Sequence, residues 1–192
     1  MKKDKIAKYL FFLILLVFPL GQLLRLDLTG LFAGLRLQAI DVLVFCYVIF
    51  WLGKRFFEKT RTKPPPFFKS LTVFLVISFL SLLLNIRTLK PLEFLTAFFY
   101  WFRLVDFVLF FWATVDLFKT EKLPVFDYLL AEGIIIGFFS LLQYLVLPDM
   151  RFLFNFGWDK HYFRAIGTFL DPGFTGLLLA LAFAIWLADL DE

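Results

Sequence analysis

The sequence predicts an all-α, polytopic integral membrane protein of about six transmembrane helices, with its N-terminus in the cytoplasm. Hydrophobic residues make up 61% of the 192, and the mean hydropathy is +0.85. Soluble domains hold roughly 45–50% apolar residues, so a membrane class follows. The apolar residues also gather into runs of about 17–25, the length that crosses the hydrocarbon as a helix. Only a helix lets each such run satisfy its own backbone there. Finally, lysine and arginine are spread unevenly among the connections, which sets an orientation.

The first span is Ala7–Leu24. Lys2, Lys3, Lys5 and Lys8 precede it and resemble a signal-peptide leader, but "GQLLRLDL" follows with no small-x-small cleavage site. It is therefore expected to stay as an uncleaved helix. The second span, Leu37–Gly53, has Asp41 near its outer end, shallow enough to be wet. It also contains Cys46, the single cysteine, which is expected to be a small apolar filler with no disulfide or metal role. The basic run "KRFFEKTRTKPPPFFK" follows. Its Pro64–Pro66 stretch and flanking lysines suit a stiff cytoplasmic loop rather than a nucleic-acid surface, and no nucleic-acid partner is expected.

Ser70–Ile86, Phe94–Phe118, Val125–Leu147 and Pro172–Ala188 complete the six. With the N-terminus inside, the basic residues of 2–8, 54–69 and 119–122 are cytoplasmic. They outnumber Arg25, Arg36, Arg87, Lys90, Arg151, Lys160 and Arg164 on the outer side. Segments 25–36, 87–93 and 119–124 are short, whereas 148–171 forms a long outer loop. No repeat or flexible linker divides the chain, so 1–192 is expected to be one integral-membrane unit. The sixth span ends in "LADLDE", without the basic anchor that an inward exit favours. That pattern suggests the front part of a longer protein.

Several residues could carry chemistry. Arg103 and Asp106 lie deep in the fourth span, three apart on one helix face, where they can pair. Charges at such depth face a bundle interior or a wet cavity, as a structural ion pair or as a substrate contact. Glu132 precedes Gly133, which with Gly137 makes a small-xxx-small face for close helix packing. His161, the only histidine, has no recognisable partner for general-base work and is expected to be a solvated loop residue. No His, Cys, Asp or Glu spacing suggests a metal. In the outer loop, Phe152, Phe154, Phe156 and Trp158 alternate with other residues, followed by Tyr162 and Phe163. Such a segment suits the headgroup zone, either resting on lipid or presenting a platform to an amphipathic substrate.

At "RAIGTFLDPG", Asp171 suits a helix N-cap and Pro172 the first helical position. The sixth helix then points its N-terminus outward, with Arg164 brought near by the Gly167-Thr168 turn. A helix N-terminus plus an arginine suits a phosphate or pyrophosphate oxyanion, although the Asp171 carboxylate competes for the same N–H donors.

The pattern Arg164-x-x-Gly167-Thr168-Phe169-x-Asp171-Pro172 before an apolar helix resembles the start of the core of the O-antigen ligase/polymerase family. These are membrane glycosyltransferases of the GT-C type. "FPLGQLLRL" ending span one, Asp41-Val42, Trp51 and Arg103 in "YWFRLVDF" fit the same likeness; Asp171-Pro172-Gly173 departs from the more usual Asn-Pro-Asn. The resemblance implies a bacterial cytoplasmic (inner) membrane enzyme of cell-surface polysaccharide or lipopolysaccharide synthesis. Its donor would be a glycan on undecaprenyl diphosphate, transferred to an acceptor hydroxyl without cofactor or metal. Arg164, Arg103 and Arg25 would bind the pyrophosphate, while Gly167, Thr168, Asp171, Pro172 and Asp106 would shape the site. Family members carry further spans and a later histidine-bearing outer loop, so this chain would be a front part that is inactive alone. The alternative is a non-enzymatic membrane protein, either a lipid-linked glycan transporter or an assembly subunit.

Overall fold

The structure, a computed structural model, describes residues 2–27, 35–58, 63–120 and 123–190. Much of the basic loop (59–62), Lys122 and the last two acids of "LADLDE" lie outside them. Helices dominate: α1 Lys2–Val17, α2 Ala39–Phe57, α3 Phe68–Leu84, α4 Pro91–Thr120, α5 Val125–Val146 and α6 Pro172–Leu190. A two-stranded antiparallel ribbon, β1 Arg25–Asp27 with β2 Arg36–Gln38, pairs Arg25 with Gln38. Among the described residues, three stretches are long and apolar enough to cross a membrane: Lys5–Leu24, Pro91–Lys119 and Val125–Val146. Apolar stretches Phe68–Leu84 and Pro172–Ala188 are shorter.

Local signals explain the helix starts. Asp41 in the first turn of α2 accepts the Gln38 N–H at 2.8 Å, in the manner of a capping box. Pro91 opens α4 at the position where a missing N–H is harmless, and Glu93 accepts the Lys90 N–H at 3.0 Å. α2 ends with Lys54 and Arg55 in its last turn, where cations complement the helix dipole. α1 gives way to a 3-10 segment, Phe18–Leu24, broken at Gly21 (φ 50°, ψ −124°).

The chain divides into two compact units, Met1–Ile14 with Arg25–Lys122, and Leu15–Leu24 with Leu123–Glu192. In the first, α4 packs against α2 and α3. Val44, Tyr47, Val48, Val108, Ala113 and Leu117 are buried, and Tyr47 donates its hydroxyl to the Ala113 carbonyl at 3.3 Å. Trp101 ties α4 to α3 by an indole N–H to the Leu75 carbonyl and by its ring against Phe79.

In the second unit α5 and α6 pack closely. A Cβ on Gly133 would collide with Ala182, and one on Gly137 would lie 3.5 Å from Leu179. These two small residues let the helix backbones approach, as their spacing implies. The segment between α5 and α6 has its own small core, Met150, Leu153 and Ile166, with Trp158 and Leu170 against it.

Candidate functional site

The segment 164–172 is tied to its surroundings by several side-chain hydrogen bonds. Gly167–Phe169 forms a single 3-10 turn, entered by Gly167 at φ 55° and left through Leu170 at φ 56°. The Ile166 and Gly167 N–H groups both donate to Gln143 Oε1, at 2.9 and 3.4 Å. Thr168 Oγ1 donates to the Pro19 carbonyl at 2.6 Å, and Thr175 Oγ1 to the Ile166 carbonyl at 2.8 Å. A Cβ on Gly167 would run into the Ser140 hydroxyl, so glycine here meets both a steric and a conformational demand. A Leu at positive φ is uncommon and stores strain that the surrounding bonds must hold.

Two segments singled out in the sequence therefore meet. "FPLGQ" lies against "GTF": the Phe18 ring meets that of Phe169 at 5.5 Å, tilted by 54°, Pro19 accepts from Thr168, and Gly21 abuts the Thr168 carbonyl. Gly21 tolerates its backbone angles because it has no Cβ. The result is a rigid shelf in front of α6.

Arg164 is exposed, three residues before the Gly167–Phe169 turn in the chain. Asp171 is the N-cap of α6: its Oδ1 accepts the Phe174 N–H at 2.8 Å and its carbonyl the Thr175 N–H at 3.1 Å. With Pro172 lacking an N–H, the carboxylate takes one of the few first-turn donors that an anion could use at this helix end. At the Phe174 N–H the competition foreseen from the sequence goes to Asp171, which shifts the weight of any anion contact here towards Arg164.

Arg103 belongs to the first unit and is not paired with Asp106. Its Nε lies 2.8 Å from Asp41 Oδ1. The contact is an ion pair, and among the described residues that oxygen receives no hydrogen bond of good geometry. Asp41 is only 8% exposed, against the expectation of a wet, shallow position. The long guanidinium stem reaches across to α2 because Asp41 is already held there by the Gln38 N–H. Asp106 is buried one turn along α4. Arg25 sits in β1, opposite Gln38. The first unit thus holds Arg25, Arg103 and Asp106, and the second holds Arg164, Gly167, Thr168, Asp171 and Pro172.

His161 is a correction. It was expected in solvent, yet it is 6% exposed, with Nδ1 buried and without a hydrogen-bond partner among the described residues. The cause is a short extended pairing: Asp149 bridges Tyr162, Met150 N–H donates to the His161 carbonyl, and Phe163 N–H to that of Pro148. Side chains alternate in extended backbone, so Lys160 and Tyr162 face out and His161 faces in. Cys46 is a free thiol exposed on α2.

Sequence reasoning missed one cluster. The Arg55 guanidinium lies 4.4 Å from the Trp112 ring centre and 5.3 Å from that of Trp51, while the Trp51 indole N–H donates to Asp116 Oδ2 at 3.1 Å. Trp51/Arg55 and Trp112/Asp116 each stand four apart, a spacing that was available as a signal. This lock clamps α2 to α4. Among the described residues no group of His, Cys, Asp and Glu could hold a metal ion. No family model, no curated protein and no solved structure matches the chain.

Proposed function

We propose that the chain is a six-span protein of the bacterial cytoplasmic membrane that handles a glycan carried on undecaprenyl diphosphate, as part of an O-antigen ligase/polymerase-like transferase. α2, α3 and α6, at about 26–29 Å, would join the three longer spans with slight local thinning of the bilayer. In the reaction, an acceptor hydroxyl attacks the anomeric carbon, and the glycosidic bond forms as the bond to the diphosphate oxygen breaks. The electron pair departs on undecaprenyl diphosphate, and the hydroxyl proton passes to a base. Charge developing on the leaving group calls for a preorganised cation, the role assigned to Arg164.

The observation that carries the reading is the packing of "FPLGQ" on "GTF", which rigidifies the turn beside Arg164. These are two of the segments on which the resemblance rests. The test is titration of the purified chain with undecaprenyl diphosphate in nanodiscs. Arg164→Ala should weaken binding about tenfold or more, the worth of a charge-assisted hydrogen bond, and Arg164→Lys should restore part of it. Equal affinity in all three proteins refutes the assignment.

The buried Asp41 and Asp106, with the half-buried Arg103 paired to Asp41, favour a second reading, a non-enzymatic transporter or assembly subunit, since intramembrane charges often line translocation paths. Under that reading Arg103→Ala impairs passage of the lipid-linked glycan while Arg164→Ala does not.

A further inference from the structure

The segment after α5 carries a cleft that the proposed transfer does not use. α5 is a candidate span, and its 22 residues cover about 33 Å, a full hydrocarbon thickness. Residues just beyond its last turn therefore come to headgroup level. The chain there is folded, because the Met150–Leu153–Ile166 core and the Asp149–Tyr162 pairing decide which side chains turn inward. Leu153 goes in, whereas Phe152 and Phe154 remain 48% and 59% exposed. Beside them lies a shallow cleft of about 530 Å³ lined by Asp149, Arg151, Phe152, Phe154, Asn155 and Lys160.

Its two cations differ. Arg151 is committed: Nε and Nη2 donate to the Asp149 carboxylate at 2.8 and 2.6 Å, and the guanidinium lies 4.6 Å from the Tyr162 ring centre. Lys160 is not. Its ammonium rests 4.5 Å from the Phe154 ring centre and makes no ion pair among the described residues. An uncommitted ammonium over an exposed phenyl ring, in a cleft that Phe152 also lines, calls for a ligand with an anionic oxygen and an apolar body. At headgroup level one abundant molecule has both, a phospholipid.

We infer that this cleft binds an anionic glycerophospholipid of the surrounding bilayer, with Lys160 on the phosphate and Phe152 and Phe154 along the start of the acyl chains. Arg151, fixed in orientation by Asp149, offers its remaining N–H groups to a second phosphate oxygen. Asn155 supplies an amide for the glycerol. The inference does not depend on the transferase reading, since neither Arg164 nor the α6 N-terminus takes part.

The experiment is native mass spectrometry of the full chain in detergent, titrated with phosphatidylglycerol, phosphatidylcholine or soluble glycerol phosphate. Phosphatidylglycerol should bind as a discrete first equivalent. Lys160→Ala should weaken that equivalent about fivefold, the worth of one lysine at an anionic surface, and Lys119→Ala should leave it unchanged. Phe154→Leu keeps the apolar volume but removes the ring under the ammonium, so it should weaken binding by a smaller factor, with the folded population checked by circular dichroism. Equal binding by the Lys160→Ala protein, or equal binding of phosphatidylcholine, overturns the inference. Displacement of the lipid by glycerol phosphate also overturns it, because the cleft would then serve a soluble phosphate.

Discussion

Gly21→Ala offers the sharpest test of how the shelf before α6 is built. Gly21 has φ 50° and ψ −124°, a region that a residue with a Cβ enters at a cost of about 1–3 kcal/mol. The added methyl would lie 2.8 Å from the Thr168 carbonyl oxygen and 2.9 Å from Phe169 Cδ1. Neither neighbour can retreat freely. Thr168 is held by its bond to Pro19, and the Phe169 ring lies between Phe18 and Phe174, at 5.5 and 5.1 Å. Overpacking of this kind costs about 1–3 kcal/mol more, so a total of about 2–6 kcal/mol is expected. Reversible unfolding of the purified chain in mixed micelles, followed by circular dichroism, measures it. Gly53→Ala is the control: a Cβ there meets nothing within 4 Å, and helix propensity favours alanine by up to about 1 kcal/mol. If the two variants unfold at the same point, the account of the shelf is wrong.

Other outcomes follow from the same geometry. Gly133→Ala should separate α5 from α6 and destabilise the chain more than Gly137→Ala, because the first Cβ collides with Ala182 and the second only touches Leu179; the same unfolding assay ranks them. Arg103→Ala strands the buried Asp41 carboxylate and should cost towards the lower end of about 3–5 kcal/mol, since Arg103 itself is 30% exposed. Adding Asp41→Asn should recover much of that loss, and a double variant no more stable than Arg103→Ala would deny the pair. Hydrogen bonds from Arg151 hold the Asp149 carboxyl down to about 2. Its contribution to the loop is thus present above the ordinary carboxylate pKa of 3.8 and lost as pH falls through about 2. A carboxyl-carbon NMR titration of Asp149 checks this, with a midpoint near 4 as the contrary result.

What could be read in the sequence was what local chemistry decides. Apolar runs gave helices near their expected places, Asp171-Pro172 foretold the start of α6, and Gly133 with Gly137 foretold a close helix contact. Contacts made across long intervals were hidden. Arg103 and Asp106 share a helix face, so their pairing was the nearest available inference, but Asp41 on α2 reaches the guanidinium. Nothing local marks His161 for burial, because its inward turn depends on Asp149 meeting Tyr162. The β1–β2 ribbon escaped for a related reason: strands of three residues are too short to show a period. Trp51/Arg55 and Trp112/Asp116 were each visible as pairs, yet only the packing of α2 on α4 joins them into one lock.

The bond from Thr168 to Pro19 spans 149 residues of chain and so has a consequence in time. At about 5–20 residues per second, roughly 7–30 s of synthesis separates the two partners. Through that interval the end of the first helix is already made while its hydroxyl donor is still untranslated. The buried Pro19 carbonyl must find water, lipid headgroups or the insertion machinery as an interim partner. Completion of this unit is therefore a late event in biogenesis, and a ribosome stalled before residue 168 leaves the first helix anchored by its neighbours alone.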